Sequence, residues 1–186
     1  MSTNTYDQHK VSVIHCTSSL FSIGTWTILR IPEAASRQLP SRGLVCVEGT
    51  ANDVPFNTVL EPDGRGGHWF KVDKALQATL EAEPGDAAEL KLTPSTDWPE
   101  PDVPEDLRQA LMRNPVVYTL WKDITPLARW DWIRWIRSTK SRETRRRRID
   151  AACDKMAKGE RRPCCFNRNM CTVPEVSHSG VLLDSP

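Results

Sequence analysis

From residue 11 to about residue 92 the apolar residues fall in short runs broken by turn residues: Trp26–Ile31, Leu44–Val47, Phe56–Leu60, His68–Val72 and Ala88–Leu92. The last run, Ala88-Glu89-Leu90-Lys91-Leu92, alternates apolar and charged positions, as a half-buried strand requires. Glu61-Pro62-Asp63-Gly64-Arg65-Gly66-Gly67 joins a φ-fixing proline to glycines that tolerate positive φ, and so predicts a turn between two strands. Asp73 is placed to cap a short helix over Lys74–Leu80, and Pro84-Gly85-Asp86 turns the chain into the last strand. Five or six short strands predict a small barrel or sandwich.

The period then changes. Residues 93–104 are rich in proline and acid and predict a linker. Pro104 suits a helix's first turn, with Glu105 and Asp106 at its positive end and Leu107, Ala110 and Leu111 at helical spacing. Asn114-Pro115 is expected to end it. Thr125-Pro126 starts another helix whose stripe contains Ala128, Trp132, Ile133, Trp135 and Ile136. A further helix after Ser141 places Ile149, Ala152, Cys153 and Met156 on one face and stops at Gly159. The expected fold class is α+β, a small N-terminal β-barrel followed by a basic helical segment. Its expected parts are a barrel domain over 10–93, a linker over 94–103, a basic helical domain over 104–160 and an irregular cysteine-containing tail over 161–186.

Of 186 residues, 39% are hydrophobic and 26% charged, as in an ordinary globular protein. Net charge is only +1, but it is polarised. Residues 1–128 hold 11 basic and 17 acidic side chains, whereas residues 129–162 hold 13 basic and 5 acidic. The second segment suits an anionic partner: nucleic acid, a membrane surface or the protein's own acidic part. The opening residues MSTNTYDQHK lack a basic start, an apolar run and a cleavage site, so a cytoplasmic location is expected, with no transmembrane segment. Six cysteines in a reducing compartment read as free thiols.

The residues also resemble a known family. Gly24-Thr25-Trp26 with Ile31-Pro32, Arg42 to Thr50, Pro55-Phe56, Gly67 to Val72 and Pro84-Gly85-Asp86 carry the resemblance in the first part. Pro104 to Leu107, Trp135-Ile136, Lys140, Glu143-Thr144-Arg145 and Arg147-Arg148-Ile149 carry it in the second. In this order they are similar to the YdeI/OmpD-associated proteins. The resemblance implies a barrel of the double-split type, shaped like the swapped-hairpin barrels of some bacterial transition-state regulators, with a basic helical domain after it. Family names connect it with bacteriocin protection and an outer-membrane porin. It implies no catalytic residue and no cofactor.

Three constellations carry chemistry. Lys140, Arg145, Arg146 and Arg147, with Trp130 beside them, are the candidate anion or partner contacts, through phosphate binding and aromatic stacking. Four consecutive arginines, Arg145 to Arg148, spread around a helix and cannot all face one partner, and Arg146 is spaced to pair with Asp150. His68, Asp63 and Glu143 are the candidate polar groups of a cleft between barrel and helices. Cys164, Cys165, Cys171 and His178 are thiolate and imidazole donors, but adjacent cysteines without a C-x2-C knuckle fit zinc poorly, and no metal is expected.

The expected function is a non-enzymatic binding or stress-protection protein, monomeric or homodimeric, whose basic helices engage an anionic partner. The alternatives are an enzyme using the cleft, and a DNA-binding regulator resembling the swapped-hairpin barrels. The acidic balance of the barrel portion argues against its gripping phosphate itself.

Overall fold

The computed structural model describes residues 12–177. Six strands, β1 (Ile14–Ile23), β2 (Trp26–Ile31), β3 (Val45–Ala51), β4 (Val54–Pro62), β5 (His68–Val72) and β6 (Ala87–Pro94), close into a barrel in the order β1-β2-β5-β4-β3-β6. Two hairpins, β1–β2 and β3–β4, are joined around the barrel by the single strands β5 and β6, and every pairing is antiparallel. The β3–β4 turn consists of Asn52 and Asp53, both at positive φ, the two-residue turn whose twist suits a hairpin. Ala88, Leu90 and Leu92 of β6 are buried and Glu89 and Lys91 exposed, as the alternation predicts. They meet Leu20, Leu29, Val47, Leu60 and Phe70 in the barrel's apolar core. At Gly49 of β3 a Cβ atom would lie 2.1 Å from the Lys91 carbonyl oxygen of β6, so closure requires glycine there.

β1 is longer and more polar than sequence reading expects, because His15 to Ser19 alternate only weakly. Two short helices flank the strands: α1 (Glu33–Ser36) and α2 (Lys74–Leu80), the latter capped by Asp73, which accepts from the Leu76 amide at 2.7 Å.

The helical unit comprises α3 (Glu105–Met112), α4 (Pro115–Asp123), α5 (Pro126–Arg137) and α6 (Arg142–Ala157). Asn114-Pro115 does end α3, but it also starts α4, an element the apolar pattern does not announce. Asn114 Oδ1 accepts from the Val116 and Val117 amides, and Pro115 takes the first helical turn, where it lacks no needed donor. Leu107, Leu111, Val117, Trp132, Ile136 and Ile149 form this unit's core.

Residues 95–103 run without regular structure but are held to α5: the Trp130 indole donates to the Pro99 carbonyl at 3.1 Å, and Arg129 pairs with Glu100. The tail also packs back, through Val173 and Val176 of the α7 region (Pro174–Ser177), against Ile28 and Trp69 of the barrel. Val181-Leu182-Leu183, a second apolar stretch suited to docking, lies outside the described residues, as does His178. Among the described residues no helix is long and apolar enough to cross a membrane.

Candidate functional site

The basic run occupies the first half of α6, which begins at Ser141, whose hydroxyl accepts from the Thr144 amide at 3.2 Å. Because successive residues rotate by about 100° around a helix, the run divides by direction. Arg145 points to α3 and makes a bidentate contact with Asp106, at 2.7 and 2.8 Å. That contact holds the Asp106 carboxyl below its ordinary value and raises Arg145. Arg147 pairs with Glu143 one turn earlier on the exposed surface. Arg148 donates to the Trp135 carbonyl at 2.9 Å and the Ser138 hydroxyl at 2.7 Å, closing the C-terminus of α5, and lies over the Trp135 ring.

Arg146 is left. It does not pair with Asp150: both are exposed on α6, and no ion pair joins them among the described residues. Both line a groove of about 810 Å³ between α3 and α6, in which Arg113, Arg142, Arg145 and Arg146 face Asp106 and Asp150. Arg113, Arg142, Arg146 and Lys140 are exposed, and among the described residues none has a side-chain hydrogen bond or ion pair. Lys140 lies outside this groove and lines, with Arg145, Trp26 and Glu175, a second depression of about 500 Å³. Arg113 and Arg142 were not among the candidates read from the sequence. Arg113 lies at the C-terminal end of a different helix, and only the packing of α3 on α6 brings it beside the run.

Trp130 is half-buried rather than freely exposed, since its indole is fixed to Pro99. With Trp26 of the barrel it lines a cleft of about 410 Å³ between barrel and α5. Of the proposed polar groups for this cleft, His68 and Asp63 are both buried and neither lines it. His68 Nε2 lies 2.8 Å from the Gly43 carbonyl oxygen. Burial pushes the imidazole below its ordinary value, partly offset by that hydrogen bond and by Asp63. Asp63 accepts from the amides of Arg65 and Gly67, at 2.7 and 3.0 Å, and pairs with Arg30 at 3.5 Å, so it braces the glycine-rich turn. Glu143 sits on α6 with Arg147. The three do not converge.

What joins barrel, helices and tail is a buried set of charges that the apolar pattern conceals. Arg134, at 0% exposure, donates to the carbonyls of Arg168 and Met170, both at 3.0 Å, and lies between Glu61 and Asp131. Asp131, at 1% exposure, also holds Arg162 at 2.8 Å and Arg168 at 3.3 Å. Arg137 pairs with Glu61 of β4 and bonds Thr172 of the tail at 3.1 Å.

The cysteines do not gather: Cys164 and Cys165 are exposed, while Cys171 packs with the Ile28 and Trp69 cluster. No group of three or more side chains suited to a metal ion occurs among the described residues.

Residues 100–159 match the family model described as bacteriocin-protection, YdeI or OmpD-associated. Residues 100–159 thus form a YdeI/OmpD-associated region. Residues 16–92, nearly the whole barrel, match a second model, a domain of unknown function, DUF1905. No curated protein matches the chain. The YdeI/OmpD-associated match contains all of α3 to α6, and with them Arg113, Lys140, Arg142 and Arg146, whereas the tail with its three cysteines lies beyond both matches.

Proposed function

We propose that this protein is a non-enzymatic binding protein of the bacteriocin-protection or stress-protection kind, and that it holds an anionic partner in the groove between α3 and α6. One observation carries the reading: Arg113, Arg142 and Arg146 line one groove, with Lys140 in a second depression that shares Arg145, and among the described residues no carboxylate is paired with any of the four. Exposed cations that stabilise nothing within the chain are free to neutralise phosphate, and the planar guanidinium fork matches phosphate oxygens in pairs. The Arg145–Asp106 ion pair ties α3 to α6 beside the groove.

The enzyme alternative is less well supported, because His68 and Asp63 serve the turn and the strand they stand in. The regulator alternative, with the barrel itself on DNA, meets the barrel portion's acidic balance, and the cationic face belongs to the helices.

The test is fluorescence anisotropy of a labelled DNA duplex with the wild type and with an Arg113→Ala, Arg142→Ala, Arg146→Ala triple variant, at low and moderate salt. Binding that weakens steeply with salt and is lost in the variant supports the reading. Retention of binding by the variant, or no binding to duplex or to anionic vesicles at low salt, refutes it.

A further inference from the structure

The six cysteines divide into two kinds. Cys46 is buried, and Cys16, Cys153 and Cys171 are half-buried. Burial raises each of these thiols, Cys16 to about 11. Cys164 and Cys165 are exposed, on the segment that leaves α6. Lys155 of α6 reaches that segment: its Nζ lies 3.1 Å from Cys164 Sγ and 3.2 Å from Glu160 Oε2. The hydrogen bond and positive charge of Lys155 hold the Cys164 thiol below its ordinary value.

The segment is anchored on both sides of the pair. Before it, the Trp132 indole donates to the Arg161 carbonyl at 3.2 Å and Arg161 pairs with Asp123 at 2.6 Å. After it, Arg168 pairs with Asp131. Two adjacent thiols therefore project from a fixed point beside a fixed ammonium.

Their adjacency limits their chemistry. Across a trans peptide consecutive Cα atoms lie about 3.8 Å apart, less than the roughly 4.4 Å at which ordinary disulfides begin. The pair resists closing on itself and stays available as two thiols. Tetrahedral zinc needs four donors, and no set of even three suited to a metal exists among the described residues. Two soft sulfur donors without a third suit a soft ion of low coordination number.

We propose that Cys164 and Cys165 bind one cuprous ion as a two-coordinate bis-thiolate whose charge Lys155 balances. On binding, both sulfurs bind as thiolates, any proton they carry goes to solvent, and the copper stays monovalent. Two thiolates and one monovalent ion carry a single net negative charge, which the Lys155 ammonium offsets. The site lies at the opposite end of α6 from the cationic groove and does not depend on it.

The test is an anaerobic titration of the reduced full chain with the coloured cuprous bicinchoninate complex, in which loss of colour reports copper transferred to the protein. The wild type is expected to withdraw one equivalent per chain. Cys164→Ser and Cys165→Ser should each abolish the transfer with unchanged far-UV circular dichroism, since both positions are exposed. Lys155→Met should keep the stoichiometry and weaken affinity roughly fivefold, the scale of one exposed charge contact. Copper that stays with bicinchoninate in the wild-type titration overturns the proposal. So does a full equivalent withdrawn by either serine variant, which would assign the copper to the other thiols.

Discussion

The barrel and the helical unit solve the burial of their chains differently. The barrel's core cluster is built of apolar side chains, its buried hydroxyls are those of Ser18, Thr27 and Ser36, and its buried ionisable groups Glu61, Asp63 and His68 gather at the β4–β5 turn. The helical unit instead buries an arginine and an aspartate, and uses Arg134 and Arg137 to hold both the barrel and the tail. The comparison teaches that a high basic count does not by itself mark a binding surface. Most arginines of this region brace the fold, and the functional candidates are those left over.

The largest effect that tests this division is expected at Arg134. Arg134→Ala opens four contacts at once, to Glu61, Asp131 and the carbonyls of Arg168 and Met170, and removes the fully buried cation between two carboxylates that keep only Arg137, Arg162 and Arg168. A loss of about 3–5 kcal/mol in denaturant unfolding is expected, the scale of breaking a buried ion pair from one side. In the barrel, Gly49→Ala forces a Cβ against the Lys91 carbonyl and should cost about 1–3 kcal/mol, as overpacking does.

Arg148→Ala should cost about 1 kcal/mol by removing the hydrogen bonds that close α5. The smallest effect is expected for Arg113→Ala, Arg142→Ala and Arg146→Ala, each within about 0.5 kcal/mol of wild type, because nothing in the fold leans on them.

The barrel end also carries a pH signature. His68 is held below its ordinary value, so between that value and the lower folded one the unfolded chain binds more protons than the folded chain. Stability should therefore fall as the pH drops below about 6.5, the ordinary value of histidine. Replacing His68 by Gln should flatten that part of the profile, whereas Arg146→Ala should leave it unchanged.

Much of the barrel was legible in the sequence, because its strands alternate or form apolar runs between turn residues. β2, β5 and α2 begin and end where the pattern places them. β1 was not, since the residues His15 to Ser19 are polar enough to read as loop, and only pairing with β2 and β6 makes them a strand. α4 escaped because Asn-Pro is both a stop and a start, and local chemistry does not say which follows.

For the site, the run Lys140 to Arg148 was plain in the sequence, but its division was not. Which arginines are engaged depends on Asp106, Trp135 and Ser138, which tertiary packing alone brings within reach. Arg113 carried no local signal at all. Trp130 stands beside the basic run in the sequence and so suggests a partner contact, yet its indole is engaged by the extended segment before α3.

The most direct measurement is arginine modification by phenylglyoxal, mapped by peptide mass spectrometry with and without a DNA duplex at low salt. The account predicts fast reaction at Arg113, Arg142 and Arg146, slow reaction at Arg134, Arg145 and Arg148, and protection by the duplex confined to the fast set. Fast reaction at Arg134 and Arg148, or protection falling on Arg147 while Arg113, Arg142 and Arg146 stay open, would contradict it.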